Sequence, residues 1–134
     1  MAHVVSLHFE AAPVLLRMVR KQVAAAARAA GAVELDAGRV ELAVGEALTN
    51  AHDHGYGGAP GAIELEIAYE PHRFAVTVHD EGPGTQFPDP PDRRTGGGYG
   101  LQVIKELMDE TDFQRSGPTG RGTTVHMAIR LRGG

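Results

Sequence analysis

The stretch Ile63-Glu-Leu-Glu-Ile-Ala-Tyr69, the turn Glu70-Pro-His72 and the stretch Phe74-Ala-Val-Thr-Val-His79 decide the fold. Ile63, Leu65, Ile67 and Tyr69 alternate with Glu64, Glu66 and Ala68, and beyond the turn Phe74, Val76 and Val78 alternate with Ala75, Thr77 and His79. A period of two, apolar on one side, predicts a hairpin with one buried face. The flanking sequence supplies helices to cover it. Pro13 suits a first helical turn, and Val14 to Ala30 carries Leu15, Met18, Val19, Val23 and Ala26 at helical spacing before Gly31 stops it. A second helix is expected from an N-cap at Asp36, burying Val40, Ala43, Val44, Ala47, Leu48 and Ala51 until Gly55 and Gly57. A third, Leu101 to Glu110, places Leu101, Ile104, Leu107 and Met108 on one side. Val4 to Phe9 reads as an edge strand, and Thr111 to Ser116 and Thr123 to Leu131 as two last strands around Gly117-Pro-Thr-Gly120. The order β-α-α-β-β-α-β-β predicts an α+β fold, a two-layer α/β sandwich whose mixed, mostly antiparallel sheet has its helices on one face.

With 134 residues the chain is expected to form one domain spanning 1–134. A net charge of −4 leaves no broad basic field, so neither nucleic acid nor a membrane surface is an expected partner. The absence of Cys removes disulfide scaffolds, thiolate zinc sites and cysteine nucleophiles together. No apolar run is long enough for a bilayer span and the start lacks a signal-peptide pattern, so a cytoplasmic protein is expected. Glycine is concentrated: six of the eighteen fall between Gly82 and Gly100, in a connection that a compact domain avoids unless it serves a function. That segment reads as a lid, about residues 85–97.

Three places carry chemistry. Glu46 and Asn50, four apart on the second helix, stack a carboxylate over an amide on one face; a solvated polar stripe has the same spacing. Asp80-Glu-Gly-Pro-Gly84 ends a strand with a carboxylate beside glycines that let a flat ligand approach the backbone; a tight turn reads the same way. Gly96-Gly-Gly-Tyr-Gly-Leu101 opens a helix and so exposes N–H groups and the positive end of its dipole; a flexible linker is the alternative. Gly117 to Gly122 lacks the Lys of a phosphate-binding P-loop. His52-Asp-His54 diverges in direction along a helix, against a metal cage.

Together these motifs resemble the GHKL ATPase superfamily. Glu46-Ala-Leu-Thr-Asn-Ala51 resembles its N box, Asp80-x-Gly82-x-Gly84 its first glycine box, Gly98-x-Gly100-Leu101 its second, and Gly122-Thr-Thr-Val125 its short closing motif. Glu41 to Tyr56 is most similar to the serine/threonine kinase, anti-sigma factor branch, and the resemblance runs from Phe9 to Leu131.

The resemblance implies a Bergerat-type ATP-binding fold and an ATP-dependent protein serine/threonine kinase that phosphorylates an anti-sigma factor antagonist and also binds a sigma factor, as a homodimer. It implies Asn50 as the ligand of Mg²⁺, and Glu46 as the group that orients or deprotonates the nucleophile, a role worth roughly 10²–10⁴-fold. Asp80 would accept a hydrogen bond from the adenine amine, Gly82 and Gly84 would make room for the ring, and Gly98, Tyr99, Gly100, Leu101 and Thr123 complete the nucleotide site. Arg93 and Arg94 lie in the lid, which does not align with the family. A nucleotide-gated binding module without phosphotransfer and a stand-alone histidine-kinase-like ATPase domain are the competing readings.

Overall fold

The computed structural model describes residues 3–55, 61–82, 100–115 and 122–132, with only the backbone of residues 54, 55, 100 and 115. In chain order they form β1 (His3–Glu10), α1 (Pro13–Ala29), α2 (Glu34–Asn50), a π-helical turn (Ala51–Gly55), β2 (Ala62–Glu70), β3 (Arg73–Asp80), α3 (Gly100–Leu107), β4 (Glu110–Arg115) and β5 (Thr123–Arg130). The strands make one five-stranded sheet, β1-β2-β3-β5-β4, and every neighbouring pair is antiparallel. The α+β sandwich expected from the alternating hairpin is therefore the observed fold.

Register explains the two layers. Leu7, Leu65, Val78 and Val125 stand side by side across four strands, as do Ile67, Val76 and Met127, and the side chains of β2, β3 and β5 in these rows are buried. Val40, Ala43, Val44, Ala47 and Leu48 of α2 meet them, with Ile104 and Met108 from the α3 region. Each fully buried Leu, Ile or Phe contributes about 1.5–3 kcal/mol through burial. The opposite face is polar: Glu64, His79 and Thr124 share one row, Glu66, Thr77 and His126 the next. His79 Nδ1 lies 2.8 Å from Thr124 Oγ1, and His126 Nδ1 2.9 Å from Thr77 Oγ1.

The helices depart from expectation in three places. α1 ends at Ala29, and Gly31 turns the chain out of it as predicted: the φ of Gly31 is +113°, and Gly31 N–H and Ala32 N–H donate to Arg28 O and Ala27 O. The packed face of α1, however, is Leu16, Val19, Val23, Ala24, Ala26 and Ala27, which leaves Leu15 and Met18 on the exposed side of the helix. α2 starts at Glu34 after Val33, and Asp36 is not its cap; the Asp36 carboxylate is buried and taken by two guanidinium groups instead. α3 ends at Leu107 rather than Glu110, since Asp109 N–H already donates to Ala128 O and Glu110 is paired into the sheet.

α1 and α2 form an antiparallel pair joined near their turn by Arg28 and Glu34, 2.8 Å apart. No helix among the described residues is long and apolar enough to cross a membrane. Asp36, at the start of α2, lies 3.0 Å from Arg132, just past the exit of β5. The other end of α2 and its π-helical extension reach β3. Glu46 and Asn50 are thus carried toward the end of the sheet where β3 stops and β5 begins.

Candidate nucleotide-binding site

At that end Asp80 closes β3, the central strand. It is flanked in register by Ile63 on β2 and Thr123 on β5, and it is only 4% exposed. Gly82 N–H donates to Asp80 Oδ1 at 3.0 Å, which folds the chain sharply out of the strand. Gly122 crosses directly over this turn: its N–H donates to Gly82 O at 2.8 Å, its φ is +87°, and a Cβ there would lie 2.6 Å from Asp80 O. Only glycine fits both the conformation and the contact. The carboxyl of Asp80 is pushed above its usual range, first by burial and further by the neighbouring Glu81 charge, against the Gly82 N–H and His79, which favour ionisation. Thr123, also buried, stands beside it. His79 Nε2 approaches Glu81 Oε1 at 2.6 Å on the polar face, a pair that brackets Asp80 along the chain.

On α2, Ala43, Val44, Ala47 and Leu48 enter the core, which turns the half-buried Glu46 and Asn50 to the flank of the helix one turn apart. Gly100 begins α3, and Leu101, half-buried, packs against the core. The structure therefore brings Asp80, Gly82 and Thr123 into one cross-braced turn, and it places Glu46 and Asn50 on the half of α2 that leads into the π-helical turn contacting β3. Gly84, Gly98 and Tyr99, together with the segment 85–97 and its Arg93 and Arg94, lie outside the described residues. The residue that sequence reasoning undervalued is Gly122. Its place at the start of the closing motif was legible, but its contact with Asp80 spans more than forty positions and leaves no local pattern.

These residues fit an adenine nucleotide. A buried carboxylate with one oxygen held by Gly82 N–H keeps acceptor capacity for an exocyclic amine, and the turn beside it carries no side chain at Gly82 or Gly122. Asn50 offers an amide oxygen, the donor type a hard divalent cation takes alongside phosphate and water. Among the described residues no group of three or more His, Asp or Glu is placed to hold a metal ion by itself. His52 Nδ1 and Asp53 Oδ1 instead approach each other at 2.8 Å.

Known proteins resemble this chain in sequence and fold. The sequence profile of the family described as "Histidine kinase-like ATPase domain" matches residues 9–129. The chain is 29% identical to the anti-sigma F factor of Bacillus licheniformis over 103 residues, 69% of this chain and 68% of that protein. It is also 29% identical to the serine-protein kinase RsbW of Bacillus velezensis over 142 aligned positions, 96% of this chain and 86% of that one. Among solved structures, that of the RsbU and RsbW domains of Rv1364c from Mycobacterium tuberculosis superposes with a TM-score of 0.71 at 23% identity, covering 96% of this chain and 32% of that one, which shows a common fold.

Proposed function

Because this chain belongs to the histidine kinase-like ATPase family, we propose that it is an ATP-dependent protein serine/threonine kinase and anti-sigma factor whose substrate is an anti-sigma factor antagonist protein. The observation that supports the reading is the cross-braced turn of Asp80, Gly82 and Gly122 at the end of β3, with α2 continuing past Glu46 and Asn50 into a π-helical turn that contacts the same strand. The names of the two Bacillus relatives support the choice of partner and of reaction.

The roles follow from the donor sets. Asp80 accepts from the adenine amine, and Thr123 lies beside it as a hydroxyl able to donate or accept. The backbone at the start of α3 faces the phosphates with the positive end of its dipole. Asn50 would hold Mg²⁺ through its amide oxygen, and the ion would neutralise phosphate charge. Glu46 orients the Ser or Thr hydroxyl of the antagonist and takes its proton as that oxygen bonds to the γ-phosphorus; the bond from phosphorus to the bridging oxygen breaks and ADP leaves. The protein acts in the cytoplasm as a homodimer, alternating between the antagonist and a sigma factor.

The test is incubation of the purified chain with γ-labelled ATP and candidate antagonist proteins, with phosphoserine or phosphothreonine located by mass spectrometry. Glu46→Gln retains shape and hydrogen bonding but accepts no proton, so transfer should fall about 10²-fold or more while ATP affinity holds. A variant that transfers at the original rate removes Glu46 from the reaction. Nucleotide-dependent antagonist binding with no transfer by the unaltered chain would make the protein a binding module.

A further inference from the structure

At the end of the sheet away from Asp80, four charged residues from three places in the chain form a cluster with no part in the reaction proposed above. Asp36, in the first turn of α2, is 1% exposed. Arg39, one turn later, donates from a terminal nitrogen to Asp36 Oδ1 at 3.0 Å and from Nε to Leu107 O, the last residue of α3, at 2.7 Å. The other terminal nitrogen of Arg39 lies 3.6 Å from Asp109 Oδ1, and Asp109 Oδ2 accepts the backbone N–H of Arg130 at 2.8 Å. Arg132 closes the cluster, 3.0 Å from Asp36 Oδ2. That oxygen is buried and receives no hydrogen bond, because the Arg132 Nε–H is not aimed at it. Arg39 ties the last carbonyl of α3 to the first half of α2.

α3 has eight residues, too few to hold a helix by itself, so its direction is set by what it packs on and by what fixes its ends. Its described contacts are with α2, through Ile104 and its neighbours, and with β4. Its last carbonyl is fixed beside Arg39, near the start of α2. Packed along α2 from that anchor, α3 points its first residue, Gly100, toward the half of α2 that bears Glu46 and Asn50. A guanidinium on the last carbonyl also complements the negative end of the α3 dipole.

We propose that Arg39 is a positioning residue for the nucleotide phosphates: held by Asp36, it anchors the far end of α3 and thereby sets where the N-terminal backbone of α3 meets the phosphate chain. This rests on the nucleotide reading above and adds a distinction to it. The adenine pocket belongs to the Asp80 end of β3 and β5, whereas the polar partners of Arg39 are Asp36, Leu107 O and Asp109, so only the phosphate contribution to affinity depends on the anchor.

The experiment compares ATP, ADP and adenosine affinities by NMR titration for the unaltered chain, Arg39→Met and Arg39→Lys, with thermal unfolding recorded for each. Arg39→Met should lose about tenfold or more in ATP affinity, in line with the cost of ångström-scale misplacement, and leave adenosine within about twofold. Arg39→Lys keeps a cation beside Asp36 but lacks the forked donors that reach Leu107 O at the same time, so it should fall between the two. If Arg39→Met does not fold, Arg39→Lys decides by the same ratio. An unchanged ATP-to-adenosine ratio in a folded variant overturns the proposal, as does an equal loss for both ligands. An unaltered chain that binds adenosine as tightly as ATP overturns the phosphate role and leaves the adenine pocket standing. Affinity for neither ligand overturns the nucleotide reading itself.

Discussion

At one end of the sheet Asp80, Gly82 and Gly122 are fastened by two backbone N–H groups, Gly82 N–H donating to Asp80 Oδ1 and Gly122 N–H to Gly82 O, across a turn that carries no side chain at either glycine. At the other, Asp36, Arg39, Asp109 and Arg132 are fastened by ion pairs, and Arg73 and Glu110 add another pair at 2.9 Å on the polar face. The difference separates two tasks. Side chains that neutralise one another hold elements together and leave nothing for a ligand. A turn held by two backbone N–H donors, with only Oδ1 of Asp80 engaged, leaves Oδ2 of that carboxylate to serve one.

Substitutions should therefore have different signatures at the two ends. The largest effect is expected at Asp80, in ligand choice. Guanine would set a carbonyl against a buried carboxylate, so ATP should be preferred over GTP by as much as roughly 10⁴-fold, and Asp80→Asn, whose amide can also donate, should narrow that gap. Calorimetry with both nucleotides measures it, and a folded variant with the original preference would place adenine elsewhere. At the opposite end Asp36→Ala leaves two guanidinium groups without their carboxylate, one of them half-buried. It should cost about 3 kcal/mol in denaturant unfolding and leave the ATP-to-GTP ratio alone. A cost near zero would make the charged end an ornament of the fold.

Gly122→Ala lies between these in character. A methyl group 2.6 Å from Asp80 O, on a residue with φ of +87°, should cost about 1–2 kcal/mol of stability. It should also shift Asp80 enough to weaken ATP binding severalfold. Stability lost without any change in affinity would separate Gly122 from the pocket.

The smallest effect is with pH. The Asp80 carboxyl is raised above 3.8, so the native state holds its proton more tightly than the unfolded chain does. Its contribution to stability is fully present below the unfolded value and is lost as pH rises through the raised one. ATP affinity should run the other way, falling on acidification as the carboxylate that accepts the adenine amine is protonated. Opposed slopes of stability and affinity over that window, both flattened in Asp80→Asn, are the expected result; parallel slopes would assign the titration to another group.

The parts of the molecule legible in the sequence are those written in short periods. The alternation from Ile63 to Val78 and the spacing from Val40 to Leu48 carried the layers, and their buried faces are as expected. Asp80, Gly82, Glu46 and Asn50 were visible as residue types in a suggestive local setting. Contacts made by chain-distant partners were not visible. Asp36 has the composition of an N-cap, and its partner Arg132 is ninety-six positions away. Leu15 and Met18 have helical spacing, yet the rotation of α1 that exposes them is set by where α2 lies, which no period in α1 encodes.

The sheet order has a consequence for the order in which the protein can be assembled. β5 lies between β3 and β4 although it follows both in the chain, so when residues 3–115 have emerged during synthesis the sheet is split. β3 then presents an unpaired edge of valine and phenylalanine, and β4 has no neighbour to pair with. Such a chain is exposed to association with its own copies, a hazard that grows with the time spent in that state. The strand that fills this gap, β5, is also the one that brings Gly122 over Asp80 and Thr123 beside it. On the proposed function, nucleotide recognition and closure of the sheet depend on the same strand, and a chain cut before residue 122 should fail at both.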